Sequence, residues 1–291
     1  MKTTTAPALT GPAARGPRRS WKPNTLALGW RRTLLEARMF SRDPSSLVFT
    51  LFFPLIMMGL FSSVFGNEPS MGDPSRPESL LRPAEYFLPG MLALATILSG
   101  FQNLSGYVAA ERFNGSIKRL AGTPLPSLSY FLGKTGLTLI LILTQTTLLL
   151  LGARFLFGVD LPTTAAAWLT FAWLLLGATA AWSVVGIAFA CIARSTQSAS
   201  TMSAVPPLLL AFISGVYFPF SQIPDWLGGL ADLTPLRWTA SGFRAVFLPE
   251  GWESVEPGGV WNLGLSALVI GLWLVVGLIV TMLTFRWPPQ K

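Results

Sequence analysis

The chain has 291 residues, of which 51% are hydrophobic and only 12% are charged, and its formal net charge is +8. Its mean hydropathy is +0.54, and several uncharged runs exceed the roughly 20 residues that a helix needs to cross a bilayer core. This composition predicts an all-α, multi-span membrane protein. Histidine is absent and Cys191 is the single cysteine, which excludes a disulfide framework, a Cys/His metal site and a histidine-based catalytic triad.

The first predicted element is an amphipathic helix that precedes the spans. Residues 1–23 are rich in Pro, Ala, Gly and Arg, and we expect them to form a disordered, basic cytoplasmic tail. Residues 24–43 then predict an elbow helix lying in the lipid headgroup plane. An ordinary solvated helix is the weaker alternative, because the charges are basic and a span follows at once. The elbow residues expected at the membrane surface are Trp30, Arg31, Arg38, Arg42 and Asp43.

Six apolar segments follow, separated by stretches rich in Pro, Gly or charge. We predict spans at about 46–65, 84–109, 130–151, 164–193, 201–218 and 260–285, with a short tail at 288–291. An even number of crossings puts both termini on one side of the membrane. That side is predicted to be cytoplasmic, because sixteen of the 21 Lys and Arg residues then lie inside, and the positive-inside rule counts these residues alone.

A short basic segment, Glu111–Pro124, lies between the second and third spans. It is too polar for lipid and too short for a domain, so we expect it to lie on the cytoplasmic side and to be bound by another protein. We predict that it is a helix in which Phe113, Ile117 and Leu120, at i, i+4 and i+7, form a ridge that suits a groove. The predicted contact residues are Glu111, Arg112, Phe113, Gly115, Ile117, Lys118, Arg119 and Leu120.

Two short helices are predicted before the last span, within residues 224–247. Thr234 and Pro235 suit the N-cap and first position of the second of these helices. Its apolar face needs cover, and a re-entrant hairpin shielded by protein would supply it. A helix on the outer surface within the aromatic belt is the alternative. As residues of an outer gate we predict Asp232, Arg237, Phe243 and Phe247.

Charged and potentially catalytic side chains are scarce inside the predicted spans. No Asp, Glu, Lys or Arg lies near the predicted mid-bilayer level, which disfavours an ion-coupled pump. Gly133-Lys134-Thr135 resembles the end of a phosphate-binding loop, but Leu128 stands where the upstream glycine is required. We therefore expect no nucleotide site, no enzyme activity, no metal and no cofactor in this chain.

Uncharged polar and aromatic side chains remain within the spans. Each polar group by itself suits hydrogen bonding between helices, but together they also suit a path for bulky, amphipathic molecules. The predicted path residues are Phe101, Gln102, Asn103, Ser214, Tyr217 and Phe218.

Four motifs in this order resemble the type-2 permeases of ABC exporters, particularly the daunorubicin-resistance-type drug exporters. The resemblance covers about residues 26–287, with a six-span permease domain at 44–287. The motifs are Arg42-Asp43-Pro44, Tyr86-Phe87-Leu88-Pro89-Gly90, the coupling segment from Glu111 to Leu125, and Ser214–Phe220 with Ile223–Leu227 and Leu233–Leu236. Phe113, Ser116 and Lys118 depart from the usual acid, Thr and acid of the family's coupling segment. They make this docking surface more basic than is usual.

The resemblance implies a complex. Two copies of the chain would pair in a bacterial cell membrane, and two separately encoded ABC ATP-binding subunits would dock on the cytoplasmic coupling helix, carrying ATP and Mg. The other partners would be membrane lipid and a small hydrophobic substrate, such as an antibiotic or a lipid-like compound, with no nucleic acid. Export of a glycolipid, a peptide or a polysaccharide is one alternative. A non-transporting membrane scaffold or receptor that recruits an ATPase is another.

Overall fold

The computed structural model describes residues 24–66, 68–72, 80–220, 223–256 and 258–285. The predicted tails at 1–23 and 288–291 lie outside the described residues. The described part contains eleven α-helices, one π-helical segment, one 3-10 turn and a single isolated antiparallel bridge, between Met71 and Leu81. It therefore confirms the all-α fold class that composition predicts.

The helices at the N-terminal half are α1 (Thr25–Ser41), α2 (Pro44–Phe65), α3 (Pro83–Ile97), α4 (Leu104–Phe113), α5 (Ser116–Ala121) and α6 (Ser127–Phe157). Those that follow are α7 (Ala165–Ile192), α8 (Thr196–Ile213), α9 (Asp225–Asp232), α10 (Pro235–Phe247) and α11 (Leu263–Thr284). The π segment Leu98–Asn103 joins α3 to α4 without a break. The 3-10 turn is Trp252–Val255.

Many of these helices have a polar N-cap residue, whose side chain accepts a hydrogen bond from a backbone N–H of the first turn. Asp43 caps α2 in this way through the Ser46 N–H, and it also accepts bonds from the Ser46 and Ser45 hydroxyls. These hydrogen bonds, that from the Ser46 side chain first, lower the pKa of Asp43. The other side-chain caps are Asn24 of α1, Thr164 of α7, Ser195 of α8 and Asn262 of α11.

Among the described residues, five helices are long and apolar enough to cross a membrane: α2, the continuous helix Pro83–Phe113, α6, α7 and α11. The continuous helix is the core, since 89% of its most apolar stretch is buried, against 22% in α2 and 17% in α11. Helices α2 and α11 therefore lie at the outside of the bundle. Their apolar side chains face lipid, which is as apolar as a protein interior.

The predicted fifth span, 201–218, differs from the helix at this place. Helix α8 begins earlier because Ser195 and Ser198 form a reciprocal capping box. It ends at Ile213, and Gly215 then takes φ +74°, a left-handed conformation that suits glycine. Helix α8 has 18 residues and is about 27 Å long. Its hydropathy is reduced by Ser, Thr and Gln near its start and by Pro206-Pro207.

Helix α10 packs inside the bundle, whereas α9 is largely exposed. The Phe243 ring lies 5.1 Å from the Phe171 ring of α7, centroid to centroid. Trp273 of α11 donates to the Leu233 carbonyl at 2.7 Å, and Ser266 donates to the Trp238 carbonyl at 3.1 Å. The partners on α7 and α11 lie within about 15 Å of the starts of those helices. The α9–α10 pair thus stands beside the first halves of α7 and α11.

Candidate functional site

The predicted coupling segment consists of two helices joined by a tight turn. Helix α4 ends at Phe113, and Gly115 adopts φ +77° before α5 begins at Ser116. A left-handed residue interrupts the helical hydrogen bonding, and glycine takes this conformation at little cost. The segment is therefore a bent α4–turn–α5 unit at one end of the bundle.

The predicted ridge of Phe113, Ile117 and Leu120 is wrong in its geometry. The spacing i, i+4, i+7 holds only along one helix, and the turn at Gly115 separates Phe113 from the other two residues. Ile117 is 4% exposed and belongs to the interior, whereas Phe113 is 43% exposed. Of the predicted contact residues, Arg112, Phe113, Lys118 and Arg119 are exposed, and Leu120 is half-buried.

Glu111 and Arg112 hold the coupling segment to the rest of the chain. Arg112 Nη1 donates to the Ala190 and Cys191 carbonyls at 2.6 and 2.7 Å, which satisfies free carbonyls at the end of α7. Glu111 accepts a hydrogen bond from the Tyr130 hydroxyl at 2.8 Å and faces α1 and α6. Both side chains bind within the chain.

The carboxylate of Glu111 belongs to a buried cluster of four charges, which we call the inner ion quartet: Arg32 and Glu36 of α1, Glu111 of α4 and Lys134 of α6. Lys134 Nζ lies 2.9 Å from both Glu36 and Glu111 oxygens. Arg32 Nη2 lies 2.6 Å from Glu36 and 3.0 Å from Glu111. Two positive and two negative charges balance, which permits burial.

Sequence reasoning missed the quartet, because its contacts join positions 79 and 98 residues apart. Lys134 is 1% exposed and Glu36 is 4% exposed, so Lys134 does not extend to the lipid interface as an isolated lysine in a span would. A signal was present in the chain: Glu36 is the single acid of α1, and Lys134 is the single charge in the first half of α6.

The elbow helix α1 lies along the start of α6. Its buried face is formed by Gly29, Thr33, Glu36 and Phe40. Thr33 packs so closely on Gly136 that a Cβ there would clash. The opposite face is exposed and includes Trp30, Arg31, Arg38 and Arg42. Asp43, also exposed, ends the turn after the elbow by capping α2.

Three of the predicted path residues line one cleft, and three do not. Gln102, Asn103 and Tyr217 face a cleft of about 210 Å³ between α2, the π segment and α8. Phe101 instead packs against Trp182 and Phe189, at centroid distances of 6.0 and 5.2 Å. Ser214 is fully buried, and Phe218 stacks near Phe212. Adjacent residues of a helix face different directions, which separates Phe101 from Gln102.

The opposite end of the bundle carries a second buried charge cluster. Arg237 lies 2.7 Å from Glu256, and 3.6 Å from Asp232, so the predicted Asp232–Arg237 pair is the weaker of its contacts. Arg244 also binds Glu256, at 2.6 Å, and donates to the Gly215 carbonyl at 2.9 Å. We call Arg237, Arg244 and Glu256 the outer ion triad; of the three, only Arg237 is among the predicted gate residues.

The outer ion triad joins α10 to the loop before α11. Burial by itself would raise the pKa of Glu256, but the Arg244 and Arg237 guanidinium groups hold that pKa below its usual value. Arg237 also stacks on Phe220, 3.9 Å from the ring centroid. The predicted gate residues Phe243 and Phe247 pack together on Phe171.

Comparison with known proteins matches residues 24–248 to the model of the ABC-2 type transporter family. The inner membrane transport permease YadH of Escherichia coli is 25% identical over 199 residues, which are 68% of this chain and 75% of YadH. The ycf38 protein of Cyanophora paradoxa is 25% identical over 87% of this chain and 85% of its own length. The YvfS protein of Bacillus subtilis is 23% identical over 78% of this chain and 85% of its own length.

The apolar helices and the permease relatives together indicate a multi-pass membrane protein. The chain belongs to the ABC-2 type transporter family, since the match covers well over half of it. Membership of this family implies an ABC ATP-binding partner for the chain.

Proposed function

We propose that this chain is the membrane-spanning subunit of an ATP-driven exporter of hydrophobic or amphipathic compounds. Two copies span a cell membrane six times each, α8 included, with both termini in the cytoplasm. Two ABC ATP-binding subunits, which carry ATP and Mg, dock on the α4–turn–α5 unit and supply the energy. The observation that carries this proposal is the open surface of Phe113, Lys118 and Arg119 on a unit firmly attached to the bundle.

The contacts of this unit supply a route for movement. Pulling on α5 displaces the end of α4, and the ion pairs of Glu111 extend that displacement to α1 and α6. The two hydrogen bonds of Arg112 extend it to the end of α7. Packed helices move as rigid bodies, so a small displacement at one end tilts the spans. The elbow α1 then moves with α6 at the lipid surface.

The outer end supplies the exit of the proposed path. The α9–α10 pair stands beside the first halves of α7 and α11, and the outer ion triad holds α10 to the loop that precedes α11. Opening this end requires Phe243 and Phe247 to leave Phe171. Cargo leaves past this pair after crossing from the inner leaflet.

The coupling surface is tested by reversing its chemistry without touching its buried residues. The triple variant Phe113→Asp, Lys118→Glu, Arg119→Glu is expressed with the cognate ATP-binding subunit. We expect co-purification of that subunit and ATP-dependent efflux from vesicles to fall by at least about ten-fold, since exposed aromatic and charged anchors dominate such interfaces. Ile117 is left unchanged because it is buried.

The matched control is Arg31→Glu with Arg38→Glu, two exposed basic residues of α1, which lies at the same end of the bundle as α5. It should retain the ATP-binding subunit and efflux. Equal loss in both variants, or normal association in the triple variant, would show that α5 is not the docking surface. Association without any efflux across a panel of drugs, glycolipids and peptides would favour a scaffold over an exporter.

A further inference from the structure

Helix α2 contains a proline that frees one of its backbone carbonyls. In an α-helix each carbonyl accepts a hydrogen bond from the N–H four residues later, and proline has no N–H. Pro54 lies inside α2, so the Thr50 carbonyl loses its ordinary partner within the helix. A carbonyl that is shielded from water normally finds another partner. Here that partner comes from a different span.

Gln145 of α6 binds the freed carbonyl and connects it to a third helix. Its Nε2 donates to the Thr50 carbonyl at 2.6 Å, and its Oε1 accepts from the Ser99 hydroxyl of the π segment at 2.9 Å. Gln145 is fully buried and Ser99 is 1% exposed. We call Thr50, Gln145 and Ser99 the Gln145 link. One carboxamide thus joins two helices, each at a place where regular α-helical hydrogen bonding is interrupted.

The Gln145 link is the main polar attachment of α2 to the bundle. Among the described residues, both hydrogen bonds that join α2 to another span end on Thr50. One is the bond from Gln145, and the other is a longer bond from Asn103 to the Thr50 hydroxyl, at 3.4 Å. Only 22% of the most apolar stretch of α2 is buried. Because apolar contacts are not directional and hydrogen bonds are, these two bonds position α2 against its neighbours.

The π segment is continuous with the unit that bears the coupling surface. Ser99 lies near the middle of the continuous helix Pro83–Phe113, about 21 Å from the end of that helix at Phe113. A displacement of α4 therefore reaches Ser99 within one helix. From Ser99, Gln145 extends it to α2, which lines the cleft that contains Gln102.

We propose that Gln145 is a positioning residue for transport: it ties α2, at the carbonyl that Pro54 frees, to the π segment, so that movement of α4 moves α2. The inference rests on the proposed function, in which the ATP-binding subunits displace α4. Helices bend most readily at prolines and at π-helical segments. Joining one interruption of each kind through a buried carboxamide makes the two helices change shape together.

Gln145→Met tests the link, because it keeps the side-chain length and removes both hydrogen bonds. In the reconstituted complex with the ATP-binding subunit, we expect ATP-driven transport to fall about ten-fold while ATP hydrolysis stays within about two-fold of the wild type. Thr144→Val is the matched control, since Thr144 is exposed and bonds to the Ile140 carbonyl of its own helix; it should leave both activities unchanged. Unchanged transport in Gln145→Met, or an equal loss of transport and ATP hydrolysis, would overturn the proposal.

Pro54→Ala separates positioning from simple stabilisation, because alanine restores an N–H for the Thr50 carbonyl. Gln145→Met alone should lower Tm by about 3–6 °C, since it leaves that carbonyl unsatisfied. In the Pro54→Ala background the same change should lower Tm by about half as much or less. Transport in the double variant should nevertheless stay well below that of Pro54→Ala alone, because α2 is still not joined to the π segment.

Two results of this comparison would overturn the proposal. Additive Tm losses would show that Gln145 does not serve the carbonyl that Pro54 frees, and transport that recovers together with Tm would show that Gln145 only stabilises α2. The Tm comparison needs neither ATP nor cargo. A wild-type complex that transports no compound of the panel, together with non-additive Tm losses, would therefore support the link and count against the exporter function alone.

Discussion

At the scale of residues, two buried charge clusters fix the two ends of the bundle. The inner ion quartet contains equal numbers of positive and negative charges, so each member is tolerated because of the others. A residue of this kind contributes little net stability as part of a complete cluster, but its removal leaves an uncompensated buried charge. Substituting one member should therefore lower the free energy of unfolding by more than the net contribution of any one ion pair.

Lys134→Met tests the inner quartet. The change leaves the Glu36 and Glu111 carboxylates buried with only Arg32 to compensate them, so we expect a loss of about 3–5 kcal/mol in the free energy of unfolding. Arg154→Met is the control, because Arg154 and its partner Asp160 are exposed, and it should cost less than about 1 kcal/mol. Equal thermal shifts of the two variants in detergent would contradict the structural role of the quartet.

Glu256 of the outer ion triad predicts a pH dependence. Its pKa in the folded protein lies below the usual 4.5, so the unfolded chain binds its proton more readily. The stabilisation is complete above pH 4.5 and is lost as the pH falls through the lower, folded pKa.

The measurement compares thermal unfolding of the wild type and Glu256→Gln from pH 8 to pH 3. The difference in Tm between them should stay constant above about pH 5 and shrink below about pH 4.5. Because both proteins contain every other carboxylate, the pH dependence that those groups cause is removed when the two Tm values are subtracted. A gap that widens with acid would mean that the arginines do not stabilise the charged form of Glu256.

At the scale of elements, glycines allow helices to pack closely against the π segment, which lines the cleft between α2 and α8. A Cβ on Gly186 of α7 would lie 2.8 Å from the Gly100 carbonyl oxygen and 2.9 Å from that of Phe101, both in the π segment. Backbone atoms cannot move aside as a flexible side chain can. The close contact of α7 therefore supports the segment that carries Gln102 and Asn103.

Gly186→Ala should destabilise the protein by about 1–3 kcal/mol through overpacking. Gly271→Ala in α11 is the matched control, since a Cβ there meets nothing within 4 Å. Alanine favours a helix over glycine by up to about 1 kcal/mol, so this control should be neutral or slightly stabilising. Thermal unfolding in nanodiscs measures both variants, and a Gly186→Ala protein as stable as the control would refute the close packing.

The α4–turn–α5 unit shows the limit of predicting elements from the sequence. The polarity of Glu111–Pro124 between two apolar runs marks it in the sequence as a segment outside the spans. The inward position of Ile117 depended on the left-handed turn at Gly115. A glycine within a helical pattern permits that turn but does not require it.

At the scale of the whole molecule, the proposed orientation puts α5 in the cytoplasm and the residues around Glu250 outside. A Cys191→Ser background allows single cysteines to be introduced, because Cys191 is the one natural cysteine. Lys118→Cys and Glu250→Cys are both at exposed positions.

In intact cells, a membrane-impermeant maleimide should label Glu250→Cys and leave Lys118→Cys unlabelled until the membrane is permeabilised. Both positions being labelled equally from outside would contradict an even number of crossings with cytoplasmic termini. The opposite pattern would invert the orientation and move the coupling surface away from ATP.

The sequence by itself determined the class of the molecule: its apolar runs are long enough to span a membrane, its breaks are polar, and the all-α fold follows because lipid leaves no partner for unpaired backbone groups. It also predicted Gln102, Asn103 and Tyr217 as path residues, and the structure places these three on one cleft. Only the tertiary structure decided which helix is central, because side chains that face lipid and side chains that face other helices are equally apolar. It alone assembled the quartet, whose contacts join positions 79 and 98 residues apart, and it alone placed the nearby residues Arg237, Arg244 and Glu256 in one buried triad. The burial of a side chain, the residues that it contacts and the bend of a helix all depend on how the helices pack. No local sequence pattern specifies them.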